Sequence, residues 1–170
     1  MSTFRGWVLL VVLAATLGLA ACEQDQPTAE ERAAIEPLIR SFLLSMALAY
    51  SQEDPAPMAE VSSPRFMEEV KRQIRLVQAG GRRLEPVLVE VEILDLKVLR
   101  RTNAFVSVRE TWDTRSFDVR TGEMIGQDAE SVLHSHIHLK RIDRQWRVLF
   151  RDVEETATSP RLVLPSPTPG

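Results

Sequence analysis

The sequence predicts an α+β domain in which N-terminal helices pack on a curved, cone-like sheet of four antiparallel strands. Apolar residues recur at helical spacing between residues 28 and 79, and the apolar period changes to two from Leu84 onward. Turn signals near residues 100–103, 121–122 and 143–144 divide this second half into four strands. Because short turns join antiparallel neighbours, the strands are expected to follow one another as a meander.

The composition narrows the class of protein. The chain has 170 residues, of which 44% are hydrophobic and 26% charged, and this mixture excludes collagen-like, coiled-coil and wholly disordered chains. The 21 basic and 24 acidic residues give a net charge of -3, which provides no general attraction toward nucleic acid. The single cysteine, Cys22, excludes an internal disulfide and a cysteine-rich zinc site. We therefore predict one globular domain that does not bind nucleic acid.

The first 22 residues have the pattern of an export signal. Arg5 precedes an apolar run at 7–17, which is shorter than the roughly 20 residues that cross a bilayer as a helix. The sequence Leu-Ala-Ala-Cys at 19–22 resembles the lipobox of bacterial lipoproteins. That resemblance implies a diacylglyceryl group on the Cys22 thiol, cleavage before this residue and acylation of the new amine, with palmitate as an expected acyl group. A plain secretory signal and a retained membrane helix are the alternatives.

Lipidation at Cys22 would hold the mature chain on a membrane, because two or three acyl chains bind a bilayer stably. In the enterobacterial lipoproteins that this segment resembles, an aspartate after the cysteine is associated with retention in the inner membrane, and Glu23 stands at that position here. The resemblance therefore favours the periplasmic face of the outer membrane, and the outer face of the cytoplasmic membrane is the alternative. We predict four segments: a signal peptide at 1–21, a lipidated tether at 22–27, an α+β domain at 28–155 and a disordered proline-rich tail at 156–170.

Two helices are predicted before the sheet. Thr28 and Glu31 form a capping box, and Pro37 means that the first helix either kinks there or begins there. Ser63 is the predicted N-cap of the second helix, which Gly80 ends. The apolar faces comprise Ile35, Leu38, Ile39, Phe42, Leu43, Met46 and Tyr50 in the first helix and Phe66, Met67, Val70, Ile74 and Val77 in the second.

The last three strands are predicted to share one core face. Two-residue loops at 121–122 and 143–144 place their alternate residues on the same, largely apolar, side of the sheet. The predicted pairs are Ala104 with Leu139, Val106 with Ile137, Val108 with Ser135, Trp146 with Arg141, Val148 with Leu139 and Phe150 with Ile137. Because the first strand changes the phase of its apolar residues at Ile93-Leu94, a β-bulge is predicted there.

The order of these elements carries a family resemblance. Helices first, then an antiparallel meander that closes with the hairpin Leu-Lys-Arg-Ile-Asp-Arg-Gln-Trp-Arg-Val at 139–148, resemble the nuclear transport factor 2-like superfamily. The resemblance covers roughly residues 28–155 and implies a cystatin-like fold in which the sheet wraps a helix. The segment 106–113, with Glu110-Thr111-Trp112, also looks like bacterial envelope members that serve as binding or assembly modules.

Glu110 and Trp112 are candidate ligand-binding residues, together with Tyr50. Both strand residues fall on the apolar face toward the open end of the meander, where they could meet a ligand that enters the cone. Without the bulge in the first strand, Glu92 would neighbour Glu110, and the two carboxylates could divide acid and base roles in an enzyme. The alternative is that Glu110 pairs with Arg141 or another cation and that Trp112 belongs to the core.

Three alternating histidines, His134, His136 and His138, are expected on the outer face of one strand. Because alternate residues stand about 6.6 to 6.8 Å apart, the three cannot bind one metal ion without ligands from elsewhere. The predicted neighbours are Phe105, Ser107 and Arg109 on one side and Leu149 and Arg151 on the other, with no carboxylate among them. We therefore expect no metal site, and a metal-binding protein that uses this row is the alternative. The same outer face could form a homodimer interface.

The closing hairpin is strongly basic. It carries Lys140, Arg141, Arg144, Arg147 and Arg151 against one acid, Asp143. Such a patch could meet anionic lipid headgroups, a polymer or an acidic partner, or it could be a solvated edge. No nucleophile elbow, phosphate loop or dinucleotide motif occurs, so no cofactor is predicted. The sequence favours a non-catalytic envelope module that binds a partner protein or a small ligand over an enzyme that uses Glu110.

Overall fold

The computed structural model describes residues 26–154, so the predicted signal peptide, Cys22 and the proline-rich tail lie outside the described residues. The elements are α1 (Ala29–Gln52), a short 3₁₀ helix (Ala56–Met58), α2 (Pro64–Ala79), β1 (Arg82–Leu99), β2 (Asn103–Asp118), β3 (Met124–Ile142) and β4 (Gln145–Glu154). The strands form one antiparallel sheet in the order β1-β2-β3-β4, with the helices packed on its inner face. The predicted α+β fold class is confirmed.

Helix α1 is the central core element. Its capping box is present, because the Thr28 hydroxyl accepts a hydrogen bond from the Glu31 amide at 3.1 Å and the Glu31 carboxylate accepts one from the Thr28 amide at 2.9 Å. The helix runs from Ala29 through Pro37 without interruption, so it does not begin at the proline. By length and composition α1 could span a membrane, but it packs its apolar residues into the core: Ile35, Ile39, Phe42 and Leu43 are all fully buried.

Helix α2 closes the core beside α1. Ser63 caps it by accepting a hydrogen bond from the Phe66 amide, and the Phe66 ring lies 5.5 Å from the ring of Phe42, centroid to centroid. The helix ends at Gly80, and Gly81 follows with φ 71°, a left-handed conformation that glycine adopts without strain. The predicted apolar face is therefore the buried one, with Phe66, Val70 and Ile74 in the core.

The predicted pairing of β2 with β3 is confirmed over its core half, although the loop that predicted it is longer than two residues. Ala104 pairs with Leu139 and Val106 with Ile137, as expected. The β2–β3 turn, however, closes between Asp118 and Glu123. Two irregularities, between 112 and 114 and between 116 and 117 of β2, add one residue each on the β3 side and compensate for the longer turn.

The predicted position of Phe150 is wrong, because β4 contains a bulge. Leu139 pairs with Val148 as expected, but His138 then pairs with Phe150, so Leu149 is an extra residue. One extra residue moves every later side chain to the opposite face of the sheet. Phe150 therefore lies on the outer face with 56% of its surface exposed, and Arg151 turns into the interior.

Candidate functional site

A buried carboxylate lies at the centre of the candidate site. Glu110 is 0% exposed, and four hydrogen bonds reach its two oxygens. Trp112 donates through Nε1 at 2.7 Å, Ser135 donates through its hydroxyl, and Arg151 donates through Nη2 at 2.6 Å and through Nε at 3.2 Å. This is a fully satisfied ion pair inside the cone.

The positions of these groups follow from the strands that carry them. Alternation along β2 places Glu110 and Trp112 on the same inner face, and Ser135 belongs to the neighbouring strand β3. Arg151 reaches the pair only because the Leu149 bulge turns it inward. A cation does pair with Glu110, as one sequence alternative proposed, but it is Arg151 and not Arg141. The Arg141 guanidinium lies 6.0 Å from the centre of the Trp146 ring.

The carboxylate pair considered from the sequence does not form. The predicted bulge between Ile93 and Asp95 is present, and Val91 rather than Glu92 faces Glu110. Glu92 points outward, where Arg109 lies 2.6 Å from it. Because four hydrogen bonds from Trp112, Ser135 and Arg151 already occupy both oxygens of Glu110, this carboxylate has no free lone pair directed at a substrate.

An open cavity of about 250 Å³ lies beside this network, and two of the three candidate residues line it. Tyr50 of α1 and Trp112 of β2 both line it, as does Arg151, whereas Glu110 lies behind them. The remaining lining residues are Met46, Ala47, Leu84, Pro86, Thr114, Asp128, Ser131 and Leu133. Arg151 could not be placed in this cavity from the sequence, because only the β4 bulge brings it to the inner face.

Tyr50 is a neutral hydroxyl in this cavity. Burial raises its pKa above the ordinary value of 10.0; nearby Arg151 lowers the pKa, and Glu69 raises it further. The phenol therefore keeps its proton at neutral pH. It can donate or accept a hydrogen bond toward a ligand, but it cannot act as a base.

The neighbours predicted for the histidine row are wrong on one side. The β4 bulge places Phe150 opposite His138, Asp152 opposite His136 and Glu154 opposite His134, so this side of the row carries two carboxylates instead of Leu149 and Arg151. The Glu154 carboxylate lies 2.8 Å from His136 Nε2. Among residues 26–154, no group of three or more acidic, histidine or cysteine side chains is arranged to hold a metal ion.

On its β2 side the row has the predicted neighbours Phe105, Ser107 and Arg109. His136 Nδ1 shares a hydrogen bond with the Ser107 hydroxyl at 3.0 Å, and the His138 ring stacks on Phe105 with centroids 4.5 Å apart. Burial lowers the pKa of His138, and the neighbouring Lys140 lowers it further. His138 is therefore neutral at pH 7 and packs as an aromatic side chain.

The basic patch is smaller than expected. Lys140, Arg141 and Arg144 are exposed, as predicted. Arg147 donates to the Ala59 carbonyl oxygen at 2.6 Å and so helps to hold the segment before α2 against β4. Arg151 does not belong to the patch, because it is paired with Glu110 inside the cone.

No protein-family model and no curated protein matches this chain. Several solved structures are similar to it. The intermembrane-space region of the chloroplast protein ARC6 aligns with a TM-score of 0.63 at 15% identity, over 75% of this chain and 98% of that one. A nuclear transport factor 2-like superfamily protein from Salmonella enterica serovar Typhimurium has a TM-score of 0.49 at 12% identity, over 78% and 95% of the two chains. A ketosteroid isomerase-like protein from Erwinia carotovora has 0.48 at 15%, over 74% and 96%. The chain thus shares its fold with the ARC6 region, and at 15% identity the likeness concerns the fold alone.

Proposed function

We propose that this chain is a membrane-anchored envelope lipoprotein whose cone binds a small ligand without turning it over. One observation carries the proposal. The acidic residue at the centre of the cone, Glu110, is fully engaged by Trp112, Ser135 and Arg151. A carboxylate held in this way supports the wall of a pocket rather than proton transfer, which favours binding over catalysis.

The cavity suits a small, mostly apolar molecule with one polar end. About 250 Å³ lies just below the roughly 300 to 1,000 Å³ of pockets that bind drug-sized ligands. Its apolar wall includes Met46, Leu84 and Leu133, and its polar groups include the Tyr50 hydroxyl and the Asp128 carboxylate. Such a mixture buries the body of a ligand and orients it through a few hydrogen bonds.

A cavity-filling variant tests the binding site. Ala47 lines the cavity, whereas Ala34 is exposed on the same helix. Ala47→Leu should abolish fluorescence enhancement of anilinonaphthalene sulfonate, an apolar probe with one charged end, and Ala34→Leu should leave it unchanged. Both variants should keep the parent urea midpoint, which excludes a response from unfolded protein. Equal probe binding by the two variants would place binding outside the cavity.

Recovery of the bound molecule separates binding from turnover. We expect native mass spectrometry of protein purified from the envelope to show a small molecule whose mass is unchanged after long incubation at neutral pH. Ala47→Leu protein should carry less of it. A released molecule of altered mass, formed by the parent but not by a Glu110→Gln variant, would instead support the enzyme that uses Glu110.

The anchor is tested at the cysteine. The proposal assigns lipidation to Cys22 because Leu-Ala-Ala-Cys at 19–22 follows an export-type apolar run. Cells fed a labelled fatty acid should label the parent chain, and Cys22→Ser should remain unlabelled and unprocessed. Labelling that persists in the variant would contradict lipidation at this position.

A further inference from the structure

One end of the sheet concentrates exposed positive charge. The β1–β2 turn and the β3–β4 turn lie side by side there, because the Arg141 amide donates to the Thr102 carbonyl oxygen at 2.8 Å. We call this region the basic end; its exposed bases are Arg100, Arg101, Lys140, Arg141 and Arg144. Its acids are Glu30, Glu31 and Asp143, so an excess of positive charge remains.

The chain enters the domain at this same end. Arg101 Nη1 lies 2.6 Å from the buried Glu31 carboxylate and donates a longer hydrogen bond, 3.4 Å, to the Gln26 carbonyl oxygen. Glu31 in turn caps α1, so the start of the helix is clamped to the β1–β2 turn. Four residue steps separate Cys22 from Gln26, and they span about 14 Å when fully extended.

We infer that the basic end lies against the anionic headgroups of the membrane that holds the lipid anchor. This inference rests on the proposed lipidation of Cys22. A tether of about 14 Å, fixed to the domain beside Arg101, leaves this end nearest the bilayer. Exposed arginines and lysines that lie within about a Debye length of a negatively charged surface are attracted to it.

The opposite end of the sheet does not fit a membrane surface. β2 runs from Asn103 to Asp118, so at about 3.3 Å per residue the β2–β3 turn lies up to roughly 50 Å from the basic end along the strand. The charges at that end balance: four bases, Arg82, Arg83, Arg115 and Arg120, stand beside four acids, Glu85, Asp118, Glu123 and Asp128. Length and charge therefore both select the same end of the strands for contact with lipid.

Two matched labelling sites test the orientation. Thr102 and Thr121 are both exposed turn residues whose hydroxyls each accept one hydrogen bond, and they lie at opposite ends of β2. In acylated full-length protein the Cys22 thiol is blocked, so Thr102→Cys and Thr121→Cys each provide one free thiol for a fluorophore. In vesicles that contain phosphatidylglycerol and a brominated lipid, we expect severalfold stronger quenching at position 102 than at position 121. Vesicles of phosphatidylcholine should reduce this difference.

A charge variant tests the cause. Arg144→Asn in the Thr102→Cys background should reduce quenching, and asparagine tolerates the positive φ of 68° at this position. Arg120→Asn at the far end makes the same change of charge and should have no effect. Equal quenching at the two labels, or the same quenching with both arginine variants, would overturn the inference. If the protein proves to be unacylated but the label at position 102 is still quenched, only the proposed lipidation of Cys22 is contradicted. If it is unacylated and the label is not quenched, both the lipidation and the contact of the basic end with lipid are contradicted.

Discussion

Substitution in the Glu110–Arg151 pair is expected to lower the free energy of unfolding more than substitution in any other polar contact of the domain. Arg151→Met removes two of the four hydrogen bonds to Glu110 and leaves a charge that is 0% exposed without its counterion. Only the Trp112 and Ser135 donors remain. Breaking a buried pair from one side costs about 3 to 5 kcal/mol, because the remaining charge stays buried. We therefore expect the free energy of unfolding to fall by about that amount.

A second pair of the same length provides the control. Arg109 Nη2 lies 2.6 Å from Glu92, the same distance as between Arg151 and Glu110, but both side chains are about half exposed. Exposed pairs contribute about 0 to 1 kcal/mol, because water screens them. Arg109→Met should therefore cost no more than about 1 kcal/mol. The two ion pairs have the same nitrogen–oxygen distance and differ in how deeply they are buried.

Urea unfolding of the chain beginning at Glu23 measures both changes. Glu110→Leu with Arg151→Met removes both charges and should cost about 2 kcal/mol, since Trp112 and Ser135 each lose an acceptor worth about 1 kcal/mol. The double variant should therefore be more stable than Arg151→Met alone. A buried ion pair is contradicted if Arg151→Met costs no more than Arg109→Met, or if the cost of the double variant equals the summed costs of its two single variants.

Two further predictions concern the core and the domain entrance. Trp146→Ala should cost about 3 to 5 kcal/mol and the exposed His136→Ala less than about 1 kcal/mol in urea unfolding, and equal losses would mean that the sheet faces are misassigned. Burial raises the pKa of Glu31, but hydrogen bonds from Thr28 and Arg101 outweigh it and hold this pKa below 4.5. The ionised Glu31 carboxylate therefore stabilises the fold at pH values above the pKa that Glu31 has in the unfolded chain. This stabilisation is lost as the pH falls through the pKa that Glu31 has in the folded protein. Glu31→Gln should accordingly lose less of its urea midpoint between pH 7 and about pH 3 than the parent, and parallel curves would contradict this.

The helices could be predicted from the sequence because their signals are local. Thr28 with Glu31 and Ser63 with Pro64 are capping patterns that act within one turn, and both caps form as expected. The bulge at 93–95 of β1 was also predictable, since the apolar residues themselves change phase there.

The β4 bulge could not be predicted in this way. Trp146, Val148 and Phe150 alternate as an ordinary strand would, so the apolar pattern contains no sign of an extra residue. What decides the register is a contact distant in the sequence: Glu110, buried on β2, receives Arg151 as its cation only if Leu149 is extra. The cost of an unpaired buried charge exceeds the gain from burying one more phenylalanine.

The β2–β3 register shows the opposite case, in which an incorrect loop still led to the correct core pairing. The turn is longer than two residues, but two additional residues in β3 restore the alignment before the core is reached. Asp118 explains the longer turn, because its carboxylate accepts hydrogen bonds from the Arg120 and Thr121 amides. Agreement in the core therefore reflects the apolar faces, which select their own register.

The direction of the strands, together with the proposed orientation on the membrane, determines the side from which a ligand can enter the cavity. Leu84, Thr114 and Asp128 line the cavity toward the end of the sheet that lies away from the N-terminal clamp of Arg101. In the proposed orientation, with that clamp beside the bilayer, the cavity would open into the surrounding aqueous space and not into the acyl layer. Its occupant would arrive by diffusion through water, already extracted from any membrane. The anchor would then confine capture to a layer one domain deep above the lipid surface.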